Sequence, residues 1–407
     1  MKKYKLMTGK LRILKLDSYS DVKKEFELIG VDPAGIDLMI PKAFQLNIRV
    51  RELSVPAALI LKQEMLRLGG DCANHRLVLK NEVESADAIL MGNIKEFQKL
   101  IPKLEKQQFG LRKLSEELSR LIRLKEQPTA FKLKLKNKTL YLSDRTHIMG
   151  ILNVTPDSFS DGGKFLNTEL AVEQGIKMVE QGADIIDIGA ESTRPGANLV
   201  SEEEELSRLI PVIEELKIAT DIPISVDTYK SNVAEAAIKR GADIINDISG
   251  LRFDAEMKDV AAKYNTPVVI MHIKGAPKNM QVDPHYDDLM NEIYNYMAES
   301  IGLAKQAGLK NSIIIDPGIG FGKQTGDNYE ILRRLSEFRS LDCPVLIGPS
   351  RKSFIGNVLD LPPDQRLEGT AAAVAIGIQN GAHIVRVHDV KEMKRVCLIA
   401  DRLVGKE

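Results

Sequence analysis

Arg386 and His388 stand two apart in the β-branched run Ala382–His388, so on a strand both side chains point the same way. Charges in such a run are rarely buried without a partner. Arginine grips phosphate or carboxylate oxygens through paired N–H groups. Other apolar runs also end in polar positions: Asn153, Asp227, Asn246 with Asp247, Met271 with His272, and Asp316. Polar loops follow several of them. These are Thr155–Gly163 with Phe159 and Asp161, Glu191–Gly196 with Thr193, Arg194 and Pro195, Pro317–Lys323 with Phe321, and Ser350–Ser353 with Lys352. Carboxylates beside an amide suit a heterocycle that presents a row of N–H donors, such as a guanine-like or pterin ring. Arg, Lys and His suit an anion. Asn153 and the aspartate-rich loop after it suit magnesium (Mg2+), bound through oxygen together with phosphate oxygens. Asp and Asn also end strands as turn formers or helix caps, so each has a structural reading; that reading is much weaker for Lys352, Arg386 and His388.

These side chains converge only if the elements bring them together. From residue 147 onward, eight short runs rich in Val and Ile read as strands: His147–Val154, Ala183–Gly189, Ile222–Asp227, Ala242–Ile248, Pro267–His272, Ser312–Asp316, Pro344–Gly348 and Ala382–His388. Their lack of alternation is that of parallel strands buried on both faces. Helical patterns separate them at Thr168–Gln181, Ser201–Lys217, Ser231–Arg240, Ala255–Tyr264, Asp287–Gln306, Asn328–Arg339 and Glu368–Gln379, and Val390–Val404 closes the series. Gly182, Gly241 and Gly381 stand where left-handed helix C-caps belong. Eight strand–helix units in about 260 residues predict a (β/α)8 TIM barrel, whose catalytic groups gather at the C-terminal strand ends. A doubly wound sheet is the fold alternative, but no G-x-G-x-x-G follows a strand. Phe131–Ser143 alternates around Asn137-Lys138 and predicts a hairpin over the N-terminal mouth.

The chain has 407 residues, with 57 Lys+Arg balancing 57 Asp+Glu. That length predicts two domains. The zero balance argues against broad nucleic-acid binding, and an aromatic content of 5% without Trp leaves no stacking platform. Residues 1–126 read as a smaller α/β N-terminal domain of unknown function, 127–145 as a connecting segment with the hairpin, and 146–407 as the barrel. In the first part, Arg12–Leu16, Leu46–Leu53 and Ala88–Met91 look strand-like, and Val55–Leu68, Ile94–Lys106 and Leu111–Ile122 helical. The three separated cysteines, Cys72, Cys343 and Cys397, suit a reducing cytoplasm. The basic N-terminus lacks the apolar core of a signal peptide, and no span suits a membrane. Gly318–Lys323 misses the P-loop spacing, and the six histidines form no zinc motif.

Taken together, these segments resemble a known family. Ile148–Gly163 (IMGILNVTPDSFSDGG) resembles the first signature of dihydropteroate synthase, a pterin-binding TIM-barrel family, and Ala183–Pro195 (ADIIDIGAESTRP) the second. SVDTYKSNVAEAAIKRGADIINDISG, VVIMHIKGAPKNMQ, IIIDPGIGFGK, GPSRKSFIG and IVRVHDV extend the likeness through the barrel, leaving residues 1–126 uncovered. The resemblance implies condensation of 6-hydroxymethyl-7,8-dihydropterin diphosphate with p-aminobenzoate to 7,8-dihydropteroate and pyrophosphate, in folate synthesis. It implies that Asp227, Asn246, Asp316 and Lys352 hold the pterin, with Met271 packed on it. Asn153, Arg386 and His388 would bind the diphosphate, with Mg2+ at Asn153 and Asp161 joining that assembly. Phe159, Thr193, Arg194, Pro195, Phe321 and Ser353 would surround p-aminobenzoate. Asp227, Lys352, Arg386 and Asp161 are the expected catalytic set, and Arg194, Arg351, Lys352 and Arg386 the expected cationic cluster. The family also implies a homodimer through late barrel helices and sulfonamide inhibitors. Two competitors remain: the pterin domain of a cobalamin-dependent methyltransferase, and a non-enzymatic pterin-binding protein. The cations and the Thr193-Arg194-Pro195 loop favour the synthase, because diphosphate and benzoate need them.

Overall fold

The first barrel strand begins at His147 and the last ends at Val387. The computed structural model describes residues 11–155, 164–192, 199–309 and 312–406. They form two compact units, one ending at Thr129 and one starting at Ala130.

In the first unit, β1 (Gln45–Ser54), β2 (Asp71–Asn74) and β3 (Ser85–Asn93) pair antiparallel with β3 in the middle. Helices Val55–Leu68, Ile94–Leu104 and Leu111–Glu126 contribute Leu61, Met65, Phe97, Leu100 and Leu118 to its own core. Two further helices, Tyr19–Leu28 and Pro33–Met39, precede β1. The strand expected at Arg12–Leu16 does not form. Leu11 and Ile13 are fully exposed there, and no strand pairs with the segment.

In the second unit, β4 (Lys132–Lys134) and β5 (Thr139–Tyr141) form an antiparallel hairpin. Eight parallel strands follow: β6 (His147–Asn153), β7 (Ile185–Gly189), β8 (Ile224–Asp227), β9 (Ile244–Asp247), β10 (Val268–Met271), β11 (Ile313–Asp316), β12 (Leu346–Ile347) and β13 (Ile384–Val387). They pair in chain order, and β13 closes back on β6. A parallel bridge from Ile315 to Val345 closes the remaining seam, giving a (β/α)8 barrel. Its outer core lies between strands and helices, with Ile186, Leu209, Val226, Ile270 and Val374. Its inner layer is Met149, Ile185, Ile244, Val269, Ile314, Leu346 and Ile384, onto which the hairpin's Leu133, Leu140 and Leu142 pack. The N-terminal mouth is thereby plugged, and polar side chains have only the other mouth.

Local chemistry sets the boundaries. Gly182 and Gly241 end helices at φ +99° and +114°, a backbone state that suits glycine, and the next strand starts within a few residues. Ser201 caps helix Glu202–Ala219, accepting from the Glu204 N–H at 3.2 Å, with four glutamates on the positive helix end. Three expectations shift. The first barrel helix starts at Lys164 rather than at Thr168. The Gln324–Asp327 capping box starts the next discrepant helix early, so Asn328–Arg339 becomes Thr325–Arg333 followed by a 3-10 segment, Leu335–Leu341. A short helix, Ser353–Leu359, follows β12 where none was expected.

Candidate active site

Six of the eight strands deliver a side chain to one mouth. Asn153, Asp227, Met271 and Asp316 are the last residues of β6, β8, β10 and β11, Asn246 is next to last in β9, and Arg386 next to last in β13. Gly189 ends β7 opposite Asp227. A Cβ there would lie 3.4 Å from Asp227 Cβ and 3.8 Å from Asn153 Oδ1, so both residues border the end of β7.

Arg386 organises the centre. Its Nε donates to Asp187 Oδ2 at 2.6 Å and its Nη2 to Asp227 Oδ2 at 2.7 Å. Asn246 Nδ2 donates to the same Asp187 oxygen at 3.0 Å. Burial pushes the Asp227 carboxyl above its ordinary range; Arg386 opposes this and Asp187 reinforces it. Burial also works against the Arg386 charge, but the two carboxylates outweigh it and raise its pKa.

Lys352 and Asp316 attract one another electrostatically, though no hydrogen bond or ion pair joins them. Lys352 Nζ donates to the Ile319 carbonyl and lies 4.4 Å from the centre of the Phe321 ring. Gly320, at φ +82°, makes this approach possible, since a Cβ there would begin 2.8 Å from Lys352 Cδ. Burial lowers Lys352 to about 7, against the pull of Asp316. Burial raises Asp316, against Lys352 and a 2.7 Å hydrogen bond from the Gly318 N–H. An apolar patch of Met271, Ile248, Ile273 and Met280, flanked by Tyr229 and Phe321, adjoins these polar groups. A flat ring with a polar edge fits such a setting.

His388 Nδ1 stands 3.0 Å from Ser350 Oγ, which also accepts from the His388 N–H. Ser353 opens helix Ser353–Leu359 and is exposed. Arg351 does not join the cationic cluster: its Nε donates to Asp389 Oδ2 at 3.0 Å, a bond that holds the turn before helix Val390–Leu403. Phe159, Asp161, Thr193, Arg194 and Pro195 lie outside the described residues.

Three features escaped the sequence reading. Asp187 lies inside β7, two residues before the strand end. Its signal was a lone carboxylate in the run IIDIG. Lys323, nearly fully buried, donates to the Phe321 carbonyl at 2.9 Å and lies 2.9 Å from His272 Nδ1, which fixes the loop after β11. Lys230 Nζ reaches Glu191 Oε2 at 2.6 Å, Glu205 Oε2 at 2.6 Å and the Val200 carbonyl at 2.7 Å. It therefore ties both ends of the stretch that contains Thr193, Arg194 and Pro195.

Among the described residues no cluster of three or more His, Cys, Asp or Glu could hold a metal, and no helix is long and apolar enough to cross a membrane. Magnesium needs few protein ligands when substrate phosphates and waters complete its shell, so an Asn153 amide oxygen at the rim fits that chemistry.

A barrel with a plugged N-terminal mouth, an apolar patch at the other and a carboxylate-held arginine defines a class, and residues 149–388 match the family model of pterin binding enzymes. The dihydropteroate synthase of Bacillus subtilis is 50% identical over 272 residues, covering 67% of this chain and 93% of that protein. The crystal structure of dihydropteroate synthase from Clostridium difficile, in the presence of pteroic acid, is 50% identical with a TM-score of 0.61, covering 65% of this chain and 98% of the other. That of the Yersinia pestis enzyme with a sulfonamide drug is 46% identical with a TM-score of 0.64, covering 67% and 99%. The chain belongs to the dihydropteroate synthase family. A probable bifunctional folylpolyglutamate synthase/dihydropteroate synthase of Halobacterium salinarum is 41% identical over 387 residues, which is 95% of this chain and 46% of that protein. The first unit thus has a counterpart there as well.

Proposed function

We propose that this dihydropteroate synthase joins 6-hydroxymethyl-7,8-dihydropterin diphosphate to p-aminobenzoate by a dissociative route, with the residues named above in specific roles. The observation that carries the reading is Arg386 held between Asp187 and Asp227, within the electrostatic reach of Asp316, which also feels Lys352. Asp316 would accept from the 2-amino and N3 edge of the pterin, and Lys352 would donate to the ring carbonyl and N5. Asn246 and Asp227 would meet the N1 and N8 side, and Met271 would pack on the ring face. Arg386, His388 and Asn153 would hold the diphosphate. Phe159, Thr193, Arg194, Pro195, Phe321 and Ser353 would surround p-aminobenzoate, where sulfonamides would compete. Magnesium at Asn153, joined by Asp161, would neutralise diphosphate charge.

The bond from the pterin methylene to the diphosphate oxygen breaks, and its electron pair leaves with pyrophosphate. Arg386 and His388 stabilise that growing negative charge. The methylene cation spreads into the ring, where buried Asp227 stabilises it. The aniline nitrogen lone pair then forms the new C–N bond, and its proton passes to solvent. No strong general base is required, because the cation is a good electrophile.

Exposed Ile376, Leu398, Ile399 and Leu403 on the late helices support a homodimer through them. Three buried cysteines support a cytoplasmic location. Asp227→Asn tests the mechanism: pterin binding persists while kcat falls about 100-fold, the size of one lost preorganised charge. Normal pterin binding with full turnover contradicts the charge-stabilising role.

A further inference from the structure

Asp187 is wholly buried in β7, among Ile185, Ile186, Ile188 and Gly189. One of its oxygens, Oδ2, receives both Arg386 Nε and Asn246 Nδ2. The other, Oδ1, has no partner among the described residues. Nor has the buried Oγ of Ser225, the register partner of Asp187 on β8. A buried polar atom left unbonded costs about 1–3 kcal/mol. Well-packed apolar groups often serve stability better than a buried ion pair. The fold alone therefore supplies no reason for a carboxylate here.

Its two partners supply one. A guanidinium has five N–H groups, and Asp187 and Asp227 take one each, leaving three for an incoming anion. The Asn246 amide spends an N–H on Asp187, which turns its oxygen away as a free acceptor. We propose that Asp187 is a positioning residue, which aims the Arg386 guanidinium at the diphosphate and the Asn246 amide oxygen at the pterin. This rests on the diphosphate reading of Arg386 given above. Asp187 touches neither substrate; it acts by fixing two groups that do, and its charge keeps the guanidinium from pairing with Asp227 alone.

The test uses the full chain and five variants, with steady-state kinetics on both substrates and thermal melting. Asp187→Val removes the acceptor and keeps a strand-compatible shape. It raises KM for the pterin diphosphate about 10-fold and lowers kcat about 100-fold, with KM for p-aminobenzoate within about two-fold. Asp187→Asn, which retains one acceptor oxygen, recovers part of both losses. Ser225→Ala, its neighbour, leaves all three constants within about two-fold. In an Arg386→Lys background, Asp187→Val adds less than it does alone, because the two act as a unit. The proposal is overturned if Asp187→Asn and Asp187→Val leave the pterin-diphosphate constants unchanged. It is also overturned if both substrates' constants and the melting temperature decline together, as a packing defect would produce. An unchanged pterin-diphosphate KM in Arg386→Lys overturns the diphosphate reading itself, and the role of Asp187 with it.

Discussion

Lys352 is a cation kept close to losing its proton. Burial brings it to about 7 against the attraction of Asp316, while the unfolded chain holds the same amine near 10.5. Between those values the unfolded state binds one more proton than the folded state, so stability rises with pH across that window. The rise is at most about 1.4 kcal/mol per pH unit. Replacing Lys352 with Met flattens the climb, which denaturant melts from pH 7 to 10 would reveal. Asp227 works in the opposite direction. Its folded pKa is raised, so its contribution is present at acid pH and is lost as pH climbs from the ordinary carboxylate range through the folded value. Asp227→Asn removes that decline. The residues that end strands were legible because type and position coincide: a polar side chain after a β-branched run. Asp187 was not, because its partners lie 59 and 199 positions away in the sequence and only the closed barrel brings them together.

Loops and strand ends are held by groups outside the substrate slot. Lys230 carries a bond to each of two shielded carboxylates, Glu191 and Glu205, with side-chain exposures of 8% and 1%. Lys230→Met leaves both without their cation and costs about 3–5 kcal/mol of stability, measured by urea unfolding; adding Glu205→Gln recovers part of that loss. At the opposite mouth, Leu140 is 4% exposed and fills the barrel floor. Leu140→Ala opens a cavity there and costs about 2–5 kcal/mol by the same measurement, without changing either substrate's KM. Strand and helix order was readable from β-branched runs and glycine caps. Helix Ser353–Leu359 was not, since its seven residues are too few to set up a period. The Arg12–Leu16 run shows the converse: strand-like residues without a pairing partner make no strand.

The molecule divides its labour unequally. The core of the first unit is drawn from residues 22–122, and the barrel's cores from residues 133–400. Each buries its own apolar surface, so the expected outcome for a fragment from residue 130 is a cooperative melt by circular dichroism and retained turnover in a pyrophosphate assay. The balanced 57 against 57 charges gave no hint of the polarised mouth, because composition sums over sites. There, the Arg386 and Lys352 cations face Asp187, Asp227 and Asp316 within one barrel opening. Light scattering tests the proposed pairing of chains, with a mass twice the 45.2 kDa of one chain expected. The central claim is that this opening couples diphosphate departure to attack by an arylamine. Pyrophosphate release by the full chain tests it most directly. Rapid release is expected only with both substrates present, with inhibition by a sulfonamide that excess p-aminobenzoate relieves. Release at the full rate without p-aminobenzoate, or none with both substrates, would contradict it.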